Sequence, residues 1–269
     1  MANTGEGMAE SAKNVVQSVA KVFAVLRAFD AGRPELTITE VAGRAGLDRG
    51  TAFRLIHTLI TLGYLAAVPD SRRFRLTLRC LELGFAALNR AGLKGQAAPL
   101  LRELVPDHAD AASLGVLDGA DVVYVERVQV DLGRRDLDRR VGSRTGAYAA
   151  ALGHAILAWH DPEEARRVLA SAERVRLSER TLVDLDALSE RLRAVRERGY
   201  AVSDGENAYG LRTVAAPVLD RNGLPLAAVS MSVRGERVEL DAFVAGALPP
   251  LLRTALALTE AARLTTGAA

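Results

Sequence analysis

Residues 36–65, LTITEVAGRAGLDRGTAFRLIHTLITLGYL, restrict the possible folds more than any other stretch, because they read as two short helices with only a tight turn between them. Thr39 stands where an N-cap is expected, with Glu40 in the first turn after it. Gly46-Leu47 supplies the turn, Asp48 is placed to cap a further helix running to about Leu62, and Gly63 follows its end. Upstream, Val19, Val22, Phe23, Leu26 and Phe29 fall at helical spacing. Downstream, LAAVPDSRRFRLTLR reads as two extended runs, 64–68 and 73–78, around a Pro-Asp-Ser turn. Three helices and a basic hairpin describe a winged helix-turn-helix over residues 15–76.

In such a unit the second helix of the pair enters the DNA major groove, where it meets base-edge donors and acceptors. On helix 49–62, Ala52, Leu55, Ile56, Leu59 and Ile60 form an apolar stripe that must pack inward. Arg49, Thr51, Phe53, Arg54 and His57 are left on the other faces, and residues of these types can touch thymine methyls, guanine edges and phosphates. Thr39, at the start of the preceding helix, is assigned to the same surface. Arg72, Arg73 and Arg75 on the hairpin are spaced to reach flanking phosphates or the minor groove. Residues 1–80 hold 11 Lys/Arg against seven Asp/Glu, although the whole chain of 269 residues carries a net charge of only +2. Basic charge concentrated on one segment of a near-neutral protein suits a phosphate-backbone partner for that segment. A structural helical hairpin with solvated arginines is the competing reading, and the hairpin that follows argues against it.

The remaining residues call for a different layer. A helical period through Leu78, Leu81, Leu83, Phe85 and Leu88 marks a linker helix at 77–94, ending where Gly92 and Gly95 cluster. Residues 95–264 alternate helical and extended patterns. Helices are expected at 96–109, 149–160, 162–171, 185–198 and about 239–264. Strand pairs are expected around Asp118-Gly119 and Arg221-Asn222-Gly223, both hairpin signals. An α+β domain with a twisted antiparallel sheet flanked by helices is the architecture this pattern specifies. Residues 1–14 lack the apolar core of a signal peptide and read as a disordered tail. No run of eighteen apolar residues occurs, and the single cysteine, Cys80, fits a reducing cytoplasm.

The segment QSVAKVFAVLRAFDAGRPELTITEVAGRAGLDRGTAFRLIHTLITLGYL, followed by RRFRLTLRCLELG, resembles the DNA-binding end of the IclR family of bacterial transcription regulators. GVLDGADVVYVERVQ, VGSRTGAYAAALGHAILAW and GYAVSDGENAYGLRTVAAPVLDRNGLPLAAVSMSV continue the resemblance in the family's order, so that it covers roughly residues 15–262. Within the family the chain looks most like regulators of p-hydroxybenzoate, protocatechuate and β-ketoadipate catabolism. The resemblance implies a winged helix-turn-helix, a linker helix and a GAF-like effector domain. It also implies homodimers or homotetramers paired through the N-terminal helices and linker. Arg49-Gly50-Thr51-Ala52-Phe53 departs from the family's usual start of the recognition helix, so the operator sequence does not carry over.

By the same resemblance Thr145, Ala151 and Leu152 sit where the family holds its effector, with Ser203, Asp204, Leu211, Thr213, Ser230 and Ser232 at the matching positions of the following strands. Ser230 and Ser232 alternate in the strand and must face one side of the sheet. Residues 142–153 read as a loop entering a helix, whose N-terminus favours anions, and small residues such as Ala149 admit a ligand close to the backbone. Arg134 and Leu137, from GRRDLDRR, line the pocket in this reading, with Arg134 a bidentate partner for a carboxylate; a solvated strand face is the alternative. Arg212 is a second such arginine, or else pairs with Asp204 or Glu206. Tyr148 either stacks on an aromatic ligand or fills the core.

No nucleophile elbow, phosphate-binding glycine loop, dinucleotide fingerprint or H-E-x-x-H occurs, and the four histidines are dispersed, so neither an enzyme nor a metal or cofactor site is expected. The expectation is a cytoplasmic regulator of an operator on double-stranded DNA, with no membrane partner. It is controlled by a small organic acid, an aromatic one such as 4-hydroxybenzoate or protocatechuate. Glyoxylate, pyruvate or β-ketoadipate in the same architecture is the alternative, and a DNA-independent acid sensor is the alternative of another class.

Overall fold

The computed structural model describes residues 15–30, 32–83, 93–130 and 139–265. The chain forms two compact units, Met1–Ala87 and Leu88–Ala269.

In the first unit α1 (Gln17–Arg27), α2 (Ile38–Ala45) and α3 (Arg49–Thr61) surround a core of Val25, Leu36, Val41, Ile56, Leu59 and Leu65. The cap of α2 is Thr37 rather than Thr39. Thr37 Oγ1 accepts from the Glu40 amide while the Glu40 carboxylate accepts from the Thr37 amide, a reciprocal capping box. Thr39 therefore lies inside the helix, because only Thr37 has a Glu three residues on. Gly46 adopts φ +66°, the left-handed conformation that lets the chain turn between α2 and α3. Asp48 caps α3 by accepting from the Thr51 amide at 2.8 Å. The wing is a three-stranded sheet, β1 (Glu35–Thr37), β2 (Leu65–Ala67) and β3 (Arg73–Leu76), in the order β1-β3-β2. The hairpin expected from sequence is β2–β3; β1 adds the outer strand by pairing Leu36 with Phe74. Residues 80–83 begin the expected linker helix, and Phe85 and Leu88 lie outside the described residues.

The second unit is α+β, as expected. Its sheet has six strands, all pairs antiparallel, in the order β6-β5-β4-β9-β8-β7. They are β4 (Ala111–Asp118), β5 (Asp121–Gln129), β6 (Arg144–Gly146), β7 (Ala201–Asp204), β8 (Leu211–Leu219) and β9 (Pro225–Arg234). Both expected hairpins form. Gly119 and Gly223 take positive φ, and the Asp220 carboxylate accepts from the Asn222 and Leu224 amides to close the second turn. Within residues 142–153, read from sequence as a loop before a helix, 144–146 form the edge strand β6. The first helix, α4 (Leu93–Arg102), is displaced from the expected 96–109 and ends before Pro106.

Helices cover both faces of this sheet. Against one pack α4 and α8 (Leu240–Thr265), burying Leu114, Val214, Val229, Met231 and Leu251. Helix α8 is long and apolar enough to cross a membrane, and 44% of that apolar span is instead buried in this core. Against the other face lies α5 (Ala151–Leu157), backed by α6 (Pro162–Ser171) and α7 (Leu185–Arg198). Asp161 and Asp184 cap α6 and α7, and Gly199 terminates α7 at φ +89°. Complete burial of a side chain such as Leu114 or Ile156 contributes about 1.5–3 kcal/mol.

One irregularity controls what the sheet presents to α5. Opposite β4, Gly115 pairs with Tyr124 but Leu114 pairs with Glu126, so Val125 is an extra residue in β5. This β-bulge returns Arg127, opposite Ser113, to the same face as Tyr124, although the two are three residues apart. The Arg127 guanidinium lies over the Tyr124 ring, 5.7 Å from its centre.

Candidate functional site

Two surfaces concentrate the chemistry. The first is α3, whose inner stripe of Ala52, Ile56 and Leu59 is buried as the spacing requires. Arg49, Phe53, Arg54 and His57 are exposed and Thr51 is half-buried near the capped end. The Phe53 and His57 rings lie 4.3 Å apart, one helical turn from each other, so the phenyl ring is held while 48% of the residue stays open to solvent. An exposed, braced aromatic and two guanidiniums on one short helix form a surface able to meet base edges and phosphates. In the wing Arg72, Arg73 and Arg75 are all exposed. Arg73 donates to the Glu35 carbonyl at 2.9 Å and pairs with Glu40 at 3.5 Å, so it ties the wing to α2. Thr39 is exposed on α2 and does not take the capping role expected of it. The Asp48 carboxyl is held below its ordinary range first by its side-chain hydrogen bond with Thr51, and the Glu40 carboxyl by the Thr37 amide.

Replacing Asp48 with Ala leaves the Thr51 amide without its partner and should cost the first unit about 1 kcal/mol, read as a lower urea midpoint at unchanged slope.

The second surface is a narrow cavity of about 20 Å³ between α5 and the sheet. Strand register builds its floor in two rows. Ser203, Thr213 and Ser232 stand side by side on β7, β8 and β9, with Thr213 and Ser232 hydroxyls 2.9 Å apart. In the adjacent row Ser230 pairs with Ser113 and Ser113 with Arg127. Arg127 donates to Ser113 Oγ and to Gln129 Oε1, each at 2.6 Å. Ala150, Ala151, Leu152, Leu211 and Tyr124 close the walls, and Arg139 and Asn207 stand at one side. Five buried or half-buried hydroxyls, two guanidiniums and an apolar wall make a site that can orient a small carboxylate bearing further oxygen atoms.

Ala151, Leu152, Ser203, Leu211, Thr213, Ser230 and Ser232, singled out from sequence, thus converge. Others do not. Thr145 lies one step out, donating to Asn207 Oδ1 at 2.8 Å. Tyr148 belongs to the core: its hydroxyl donates to the Val175 carbonyl and accepts from the Val175 amide. Ala149 is fully buried in the turn before α5 and is not a wall. Asp204 follows Ser203 directly and faces the other way, where it pairs with Arg212 at 3.0 Å and with Arg180. Arg212 therefore does not reach the cavity. Glu206 is paired with Arg191, not with Arg212 or Asp204. Arg134 and Leu137 lie outside the described residues. Tyr124, Arg127, Arg139 and Asn207 were not singled out; the register Ser113–Arg127 is the one signal that points to Arg127. The α5 N-terminus, expected to attract anions, heads a helix of seven residues with Ala150 at its cap, so the side chains around it define the site.

His154, on the buried side of α5, is fully enclosed. Its Nε2 donates to the Tyr148 carbonyl at 2.6 Å and Nδ1 has no partner. Burial pushes its pKa down to about 4. The imidazole is therefore neutral at pH 7 and holds the 148–154 turn in place.

The model of the IclR helix-turn-helix domain matches residues 18–69, and that of the bacterial transcriptional regulator IclR C-terminal domain matches residues 85–259. The chain belongs to the IclR family. It is a DNA-binding transcriptional regulator with an effector-binding domain, and the family's members are not enzymes. The HTH-type transcriptional regulator KdgR of Escherichia coli is 37% identical over 217 residues, 81% of this chain and 82% of that protein. The p-hydroxybenzoate hydroxylase transcriptional activator of Acinetobacter baylyi is 33% identical over 247 residues, 90% of each chain. An IclR homologue from Microbacterium hydrocarbonoxydans, solved in complex with 4-hydroxybenzoate, superposes with a TM-score of 0.77 at 25% identity, covering 90% of this chain and 98% of that one. The IclR-family expectation and the winged helix-turn-helix with an α+β effector domain thus hold.

Proposed function

We propose that this IclR-family chain is a cytoplasmic homo-oligomer whose hold on a pseudo-palindromic operator is set by an aromatic carboxylate, such as 4-hydroxybenzoate or protocatechuate, bound between α5 and the sheet. The observation that carries the reading is the pairing of Arg127 and Arg139 with a hydroxyl-lined floor and the Tyr124–Leu152–Leu211 wall. A guanidinium takes the carboxylate, the hydroxyls take ring oxygens, and the wall takes the ring. The solved relative holding 4-hydroxybenzoate supports this choice of ligand. Binding shifts operator occupancy by the ligand's differential affinity for two arrangements of the oligomer. Exposed apolar residues support pairing: Val16 at the cap of α1, Val19 and Phe23 on it, and Leu78, Leu81 and Leu83 after the wing.

On the DNA side, Arg49, Thr51, Phe53, Arg54 and His57 read the operator, and Arg72 and Arg75 contact flanking phosphates. Arg54→Ala should weaken specific binding by about 1–3 kcal/mol, and Arg72→Ala should weaken all sequences alike with a shallower salt dependence. Filter binding or fluorescence anisotropy over a salt series separates the two; equal losses on operator and random DNA for Arg54→Ala would remove it from base reading.

A second reading is favoured by the small cavity volume: a short aliphatic acid, such as glyoxylate or pyruvate. A thermal-shift screen of hydroxybenzoates, protocatechuate, β-ketoadipate and short keto acids decides. Ligand at 100 times its dissociation constant adds about 2.7 kcal/mol. Stabilisation by the aromatic acids, lost in Arg127→Gln, is expected; stabilisation by keto acids alone selects the second reading, and no shift with any of them removes both.

A further inference from the structure

The pair that sequence assigned to the effector site and the fold diverts from it, Asp204 and Arg212, faces a different cleft. It measures about 350 Å³ and shares no described wall residue with the cavity under α5. The ends of β7, β8 and β9 form it, together with the turn 205–210 and the segment 178–180. Gly205 and Gly210 hold φ of +76° and +72°, which curls the turn and stands Tyr209 at the rim with 78% of its surface open.

Three guanidiniums converge on this cleft with different duties. Arg212 is structural: it pairs with Asp204 and donates to the Gly235 and Val238 carbonyls. Arg180, on the exposed side, leans on the same Asp204 carboxylate, so one anion serves two cations. Arg234 is the unsatisfied one: its Nε–H is buried with no acceptor, and the one acid paired with its guanidinium among the described residues, Glu236, stands 3.7 Å from Nη1 and is 76% exposed, while Asp110 accepts from its amide instead. Glu179 and Glu236 line the rim and Glu239 reaches Arg212 at 3.8 Å. Being largely exposed, Glu236 and Glu239 are screened by water, whereas the Arg234 donor is not.

We propose that this cleft is a second ligand site of the effector unit and takes a phosphorylated small molecule. Arg234 and Arg180 both line the cleft, and their guanidinium N–H groups suit a tetrahedral oxyanion held there. The volume exceeds what a bare phosphate fills and lies in the range of small-molecule pockets. The Tyr209 ring at the rim offers a face to a flat organic substituent.

Phenyl phosphate and inorganic phosphate are the probes, titrated calorimetrically into the full chain at constant ionic strength. Saturable binding of both is expected, with phenyl phosphate the tighter. Arg234→Gln should weaken it at least tenfold, and Tyr209→Ala should erase the preference for the ester. Should Arg234→Gln fail to give the native circular dichroism spectrum, Arg180→Gln, at a largely exposed position, carries the same expectation. Ser230→Ala, in the other cavity, should leave the affinity for both probes as in the parent, whatever it does to the effector. The proposal is overturned if neither probe saturates, if the arginine variants that fold bind as the parent does, or if Ser230→Ala abolishes binding, which would place the probe under α5.

Discussion

Gly153→Ala should destabilise the effector unit by about 3 kcal/mol or more, the upper range for forced overpacking. A Cβ at this position would stand 2.2 Å from the Ala147 carbonyl oxygen and 2.4 Å from its Cα. Neither is a side chain that can turn away. Relief requires α5 to separate from the 147–150 turn, and that movement carries Ala151 and Leu152 out of the cavity wall and strains the His154–Tyr148 bond. The variant should therefore lose stability and ligand response together, while the DNA-binding unit, which has its own core, keeps its fold. Urea unfolding followed by far-ultraviolet circular dichroism, with the two units tracked separately by native-state hydrogen exchange, reads both. A midpoint within error of the parent would show that α5 is not seated as described.

The second large effect is a pH dependence with one dominant source in α5. His154 has a folded pKa of about 4 against 6.5 in the open chain. Between these values the unfolded chain binds a proton that the folded chain refuses, so stability rises with pH across the interval. The contribution is fully present above about pH 6.5 and is lost as pH falls towards 4; in all it amounts to about 3 kcal/mol. From pH 7 to pH 5 the parent should lose about 2 kcal/mol through this group. His154→Met should be less stable at pH 7, through the lost bond to the Tyr148 carbonyl, yet should show a flatter profile over that range. Parallel profiles for parent and variant would refute the assignment. Asp30, Glu40 and Asp48, whose pKa values are lowered in the other unit, lose their stabilising effect in the same acid direction at lower pH. The difference between parent and variant separates His154 from them.

Much of this was legible before any coordinates. Caps and turns are local, and Asp48, Gly46, Gly199 and the Asp118-Gly119 turn could be placed from neighbours alone. The cap of α2 was misplaced by two residues because two threonines flank Ile38; pairing each with the residue three further on selects Thr37, since Glu40 answers it and Ala42 would not answer Thr39. Strand β1 was invisible because three residues carry no alternation, and only its pairing with β3 defines it. In the effector cavity, Ser230 and Ser232 followed from strand parity. Asp204 was assigned beside Ser203 against that same parity, and it faces the opposite side. Arg127 and Tyr124 depend on a pairing irregularity between distant segments, which no local pattern announces. Asn207 and Arg139 come from segments outside regular strands, and only the folded chain brings them to the cavity.

The extra residue in β5 makes the wall of the effector cavity a matter of strand pairing as well as of composition. With Val125 paired in regular register, Tyr124 and Arg127, three residues apart, would fall on opposite faces; deleting Val125 would instead leave them two apart and on one face. The aromatic-and-cation wall thus survives loss of the extra residue, whereas a strand that keeps the residue must keep the bulge as well.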